Sequence, residues 1–93
     1  MNRWQRRAAA AVLIPAARQG LYAKEIFRLC NRLLADEDDM VQKAVGWLLK
    51  ESTKKKRPAV VSYLVRLRAR APRLVLRYAC ENLPAGDRRR TLA

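Results

Sequence analysis

Histidine is missing altogether and acid is scarce: the 93 residues hold 21 lysines and arginines against 8 aspartates and glutamates, a formal charge of +13. Without histidine there is no imidazole acid or base, no Ser-His or Cys-His nucleophile pair and no histidine metal ligand. Half of the acids stand together at residues 36–39, so the remainder is overwhelmingly basic. That excess repels itself in a compact fold and attracts polyanions. Nucleic acid is the leading partner class, followed by an anionic membrane surface or an acidic protein. Cysteine is limited to Cys30 and Cys80, far apart and inside apolar helical patterns, where free thiols act as small buried hydrophobes. Long hydrophobic runs are lacking too. Residues 8–17 are alanine-rich after a basic start, superficially like a signal peptide, but Pro15 breaks the run and Arg18 follows at once. No stretch reaches the ~20 apolar residues of a membrane span, so the chain reads as soluble, intracellular and cytoplasmic, with no cofactor and no metal.

What is present is helical periodicity from end to end, with no strand-like alternation. Residues 3–18 read as a first helix carrying Trp4, Arg6 and Arg7, with Pro15 kinking or ending it and Gly20 as a stop. Almost nothing precedes Trp4, which leads to the expectation of further helices on its amino-terminal side. Residues 22–35 form a second helix through Ile26, Leu29, Cys30, Leu33 and Leu34, with Lys24, Arg28 and Arg32 aligned on another side. A basic turn, residues 53–58 (TKKKRP), leads into a helix over 59–70. That basic run has three readings: a nuclear address, a phosphate clamp or a solvated loop. In the 59–70 helix Val60, Leu64, Leu67 and Ala71 face inward, and Tyr63, Arg66 and Arg70 form a second line, with the tyrosine at a core edge or on a ligand. Pro72 opens a fifth helix buried through Leu76, Cys80 and Leu83, with Arg73 and Arg77 one turn apart, and Pro84 ends it. Residues 85–93 form a short helix capped by Asp87 or a frayed tail.

The most informative stretch is residues 36–51, DEDDMVQKAVGWLLKE. The acids suit a helix amino terminus, where carboxylates accept free backbone N–H groups and oppose the dipole. Val41, Ala44, Val45 and Leu48 make one core face. Lys43, Trp47, Lys50 and Lys54 make a neighbouring one, a tryptophan in a line of cations. Gly46 beside it costs about 1 kcal/mol relative to alanine in a helix interior, so another backbone approaching closely would account for it. Two readings stand: helix packing, or a surface on which a flat sugar or base lies while lysines hold phosphates.

The fold expected is all-α: a single domain over residues 1–93, a HEAT-like helical repeat, or α-solenoid fragment, of five to six helices. The segment Gln42-Lys43-Ala44-Val45-Gly46-Trp47-Leu48-Leu49-Lys50-Glu51 resembles the QKA(I/V)GW-x-L-(R/K)-E segment of the AlkD-type DNA alkylation repair family, the helical-repeat alkylpurine DNA glycosylases. Upstream, Trp4-Gln5-Arg6-Arg7-Ala8-Ala9 is similar to that family's W-x-R-R-x-A helix. Downstream, Leu76-Arg77-Tyr78-Ala79 is similar to its LRYA-type helix.

The resemblance implies a basic concave face that holds duplex DNA around an alkylated purine. Members are thought to excise the base without fully flipping it, tryptophans and a carboxylate contacting the lesion's sugar and backbone. Trp47 matches one of those tryptophans. Arg7, or failing that Arg6, matches an arginine on phosphate. Lys50 stands where many members have arginine, keeping the charge without the bidentate fork. The family's catalytic aspartate and a second tryptophan lie before the W-x-R-R helix, and none of Glu25, Asp36, Glu37, Asp38, Asp39, Glu51, Glu81 or Asp87 occupies a matching position. The expectation is therefore the carboxy-terminal half of a repair protein, without catalytic residues of its own. It would bind alkylated or abasic duplex DNA through Trp4, Arg6, Arg7, Lys43, Gly46, Trp47, Lys50, Lys54 and Arg77, alongside a chain that supplies the missing helices. The alternative is a helical-repeat module whose basic face docks an acidic protein.

Overall fold

The computed structural model describes residues 2–92. Six helical elements follow one another: α1 (Arg3–Ala11), α2 (Ile14–Arg18), α3 (Ala23–Leu33), α4 (Asp39–Leu67), α5 (Arg73–Ala79) and α6 (Ala85–Leu92). No strand occurs among the described residues, and the all-α class with its succession of helices is that of a helical-repeat fragment.

Several boundaries differ from those expected. The first helix is two, because the chain turns at residues 12–13 and Pro15 sits in the opening turn of α2, where its missing N–H costs nothing. Gly20 does stop α2: at φ 76° it closes a Schellman motif, with Leu21 N–H on Ala16 O and Gly20 N–H on Ala17 O, both at 3.0 Å. The expected turn at residues 53–58 is tightened to a kink: α4 consists of two helical segments that meet at Lys56, which departs from helical geometry (φ −127°, ψ 38°). Pro58 explains the position: it cannot donate to the carbonyl four residues back and its ring pushes that carbonyl aside, so the chain bends within the preceding turn. Ser52 and Thr53, just before the bend, turn their hydroxyls back onto Leu48 O and Lys50 O, at 2.9 and 2.6 Å. Pro72 is the N-cap of α5 rather than its first residue, α5 stops at Ala79 well before Pro84, and Asp87 lies in the first turn of α6 instead of capping it.

The cross-chain contacts set the arrangement. Arg3 pairs with Asp38, Arg18 with Glu51, and Gly20 meets Lys55, so α1 and α2 run alongside the first half of α4 in the same direction. Gly46 meets Tyr78, and Lys50 pairs with Glu81, so α5 runs alongside it too, again in parallel. These three form one layer. The other holds α3 and the second half of α4, joined by Phe27 stacked on Tyr63 at 4.5 Å between centroids. Recurrence of parallel helices in one layer, with their connecting helices in the other, is how a helical repeat stacks.

The core lies between the layers. The stripe Val41, Ala44, Val45 and Leu48 is buried as the periodicity predicts, and Ile26, Cys30, Val60, Leu64, Leu67, Leu76, Cys80 and Leu83 join it. Both thiols are free and buried; burial pushes Cys30 up to about 12 and raises Cys80. Tyr63 belongs to this core edge, its hydroxyl donating to Asn31 Oδ1 at 2.7 Å. No described helix is long and apolar enough to cross a membrane.

Candidate nucleic-acid interface

Asp38 starts the helix on which the site is built. Its carboxylate accepts the N–H groups of Met40 and Val41, at 2.9 and 3.3 Å, which occupies free donors of the first turn and fixes the register of α4. From that start, the apolar stripe turns to the core and Lys43 and Trp47 turn outward.

Across the first layer runs a cleft of about 320 Å³ lined by Arg7 and Ala11 from α1, Met40, Lys43, Ala44 and Trp47 from α4, and Tyr78 from α5. Its floor is apolar and its rim carries two cations and two aromatic rings. Arg7 and Lys43 have no ion-pair partner among the described residues. Trp47 is 43% exposed at the cleft, and Lys50 Nζ lies 6.0 Å from its ring centroid. The cleft sets an exposed aromatic plane beside positive charge.

The structure brings together some of the expected residues and not others. Arg7, Lys43 and Trp47 share the cleft, and Lys50 borders Trp47 while reaching Glu81 Oε2 at 3.2 Å. Of the arginine pair, Arg7 enters the cleft. Arg6 is half-buried and its Nε lies 2.5 Å from Asp36 Oδ2. The N–H of Asp38 on Asp36 holds that carboxyl below its ordinary range, with Arg6 adding to the effect against the opposing pull of burial.

Lys54 lies off the cleft, 3.3 Å from Glu51, which also takes Arg18 Nε at 2.5 Å. Burial alone would raise the Glu51 pKa, but its hydrogen bonds to Arg18 and Lys54 and the charges of both carry it below the ordinary value. Trp4 is 59% exposed and lies under the Arg3 guanidinium, outside the cleft lining. Arg77 is exposed on α5 and also outside the lining.

Gly46 is corrected more sharply: it is buried, not part of an exposed surface. A Cβ on it would lie 2.6 Å from Tyr78 Cβ and 3.1 Å from Val75 O, so the glycine exists to let α5 approach α4. The packing reading holds for Gly46, while Trp47 beside it faces the cleft. Ala11, Met40 and Tyr78 line the cleft without standing out as site residues in the sequence; for Tyr78 the signal lies in the Leu76-Arg77-Tyr78-Ala79 segment, where Arg77 is the more conspicuous charge.

No acid lines the cleft. Four carboxylates are engaged by cations, Asp36 by Arg6, Asp38 by Arg3, Glu51 by Arg18 and Lys54, and Glu81 by Lys50, while Asp39 is exposed in the first turn of α4. Among the described residues there is also no group of three or more acids and thiols that would hold a metal ion.

The all-α class and the succession of paired helices are those of a helical-repeat fragment. The model of the family described as DNA alkylation repair enzyme matches residues 1–83, and the chain belongs to that family. Among curated proteins and among solved structures, none matches it.

Proposed function

We propose that the chain is the DNA-binding part of a DNA alkylation repair protein, a HEAT-like fragment that engages duplex DNA at alkylated or abasic sites through the Arg7, Lys43, Trp47 and Tyr78 cleft. The observation that carries this reading is the exposed Trp47 ring standing between unpaired cations on an otherwise apolar cleft. The cations take phosphates and fix the register of the duplex, while the rings lie against the sugar or base at the position where stacking is already broken. A damaged site suits this cleft because the unstacking cost, a few kcal/mol in intact duplex, is least there.

Base excision needs more than this cleft supplies. A carboxylate must stabilise the positive charge that develops on the sugar as the glycosidic bond breaks, and none is among the residues that line the cleft. On this reading the chain contributes DNA binding, and excision requires a carboxylate from outside the cleft lining. Titration of the chain into fluorescent duplexes with and without an abasic-site analogue tests the reading. Tighter binding to the damaged duplex supports it, and equal binding to both removes it.

A further inference from the structure

A second charged surface lies in the other layer. On α3, Lys24, Arg28 and Arg32 are exposed and one turn apart; Arg66, in the last turn of α4, and Arg70, in the turn that follows it, are exposed as well. The two rows flank one seam, because Tyr63 of α4 donates to Asn31 Oδ1 of α3 at 2.7 Å and stacks on Phe27. Arg66 and Arg70 also reach the Tyr63 hydroxyl electrostatically, pulling its pKa back against the rise that burial imposes. None of these five cations has an ion-pair partner among the described residues. None lines the cleft, which is built from α1, the first half of α4 and α5.

We propose that this arginine-flanked seam binds the phosphodiester backbone of a second nucleic-acid segment, so that one chain bridges two duplexes when its cleft, on the reading above, holds the first. Keeping five cations together unpaired costs self-repulsion, which a polyanion relieves. Guanidinium forks suit phosphate oxygens, and five cations on either side of the Tyr63 seam present several of them rather than one. An acidic protein is the poorer fit. Stable protein interfaces are anchored by buried aromatic or aliphatic side chains, and the exposed large apolar residues Trp4, Val12, Leu21, Tyr22 and Trp47 all lie outside these rows.

The test immobilises an abasic-analogue duplex, loads it with the chain, and then measures capture of a fluorescent unmodified duplex. Wild type is expected to capture the second duplex, with affinity falling on the order of a hundredfold between 50 and 200 mM salt if about four phosphates are neutralised. The quadruple variant R28Q/R32Q/R66Q/R70Q should load the first duplex within about twofold of wild type and lose second-duplex capture by at least about tenfold. The matching arginine-to-lysine variant should keep most of it, since the charge remains.

Capture by the quadruple variant equal to wild type overturns the proposal, as does wild type that loads normally and captures nothing at 50 mM salt. A polyglutamate peptide that displaces the second duplex at lower charge equivalents than a competitor duplex also overturns it and assigns the seam to an acidic partner. Loading without lesion preference counts against the cleft alone, so the two readings fail separately.

Discussion

Gly46 and Tyr78 stand at the closest approach between α4 and α5: a methyl group on the glycine would lie 2.6 Å from the tyrosine Cβ, and the carbonyl of Val75 closes the other side at 3.1 Å. Neither neighbour is the loose end of a long side chain, so the helices themselves would have to part. Gly46→Ala gains about 1 kcal/mol of helix propensity but overpacks the contact by roughly 1–3 kcal/mol or more. The expected outcome is net destabilisation in a urea or thermal melt, together with weaker DNA binding, because Tyr78 is displaced from the cleft. A Gly46→Ala chain that is more stable than wild type would contradict the contact.

Gly20 makes a similar prediction for a different reason. Its φ of 76° is costly for any residue with a side chain, and a Cβ there would come 2.8 Å from that of Lys55. Gly20→Ala should cost about 1–2 kcal/mol from backbone strain, with the Lys55 contact adding to it. Denaturant melts of the two variants at equal slope would show the loss as a lower midpoint.

The pH dependence follows from Asp36 and Glu51, both of which have folded-state pKa values below their ordinary ones. A lowered carboxyl pKa contributes stability that is present above the unfolded value, about 3.9 for aspartate and about 4.3 for glutamate, and is lost as pH falls through the folded value. Stability should therefore decline as the medium is acidified below about pH 4. Glu51→Gln should flatten that decline and cost about 1–3 kcal/mol at neutral pH, because the buried carboxylate that Arg18 and Lys54 share is gone. An unchanged pH profile in Glu51→Gln would show that the buried clamp carries no such linkage.

Lys50 lies between two partners, Glu81 at 3.2 Å and the Trp47 ring at 6.0 Å. The ion pair is exposed on the Glu81 side and is worth no more than about 1 kcal/mol. Glu81→Gln should therefore leave stability nearly unchanged and tighten DNA binding about threefold at low salt by freeing the lysine and removing a negative charge. Lys50→Ala should lower the slope of log affinity against log salt by about one. Fluorescence anisotropy at several salt concentrations reads both.

What could be read from sequence, and what could not, follows from the range of the interactions. The core stripe of α4 and the Asp38 cap are local, period-driven features, and they stand where the spacing puts them. The choice between Arg6 and Arg7 was not local: an ion pair to Asp36, 30 residues away, draws Arg6 aside and leaves Arg7 for the cleft. Lys54 is drawn to Glu51 only three residues away, a local pair, but the burial that makes Glu51 hold it comes from the fold. Proline and four cations mark residues 53–58 as a break between helices, and the structure narrows that break to a kink at Lys56, beyond which Val60, Val61 and Leu64 are buried in the core. At Gly46 the sequence announced that something approaches, but only the fold shows that it is Tyr78.

The central claim is that Trp47 in its basic cleft distinguishes damaged from intact duplex. The direct measurement is the affinity of wild type and Trp47→Ala for an abasic-analogue duplex and its unmodified counterpart, each across a salt series. Wild type should favour the damaged duplex, and Trp47→Ala should lose that preference, at about 1–3 kcal/mol of binding free energy, while keeping nearly the same salt slope. A Trp47→Ala chain that is folded and still favours the damaged duplex as strongly as wild type would contradict the account.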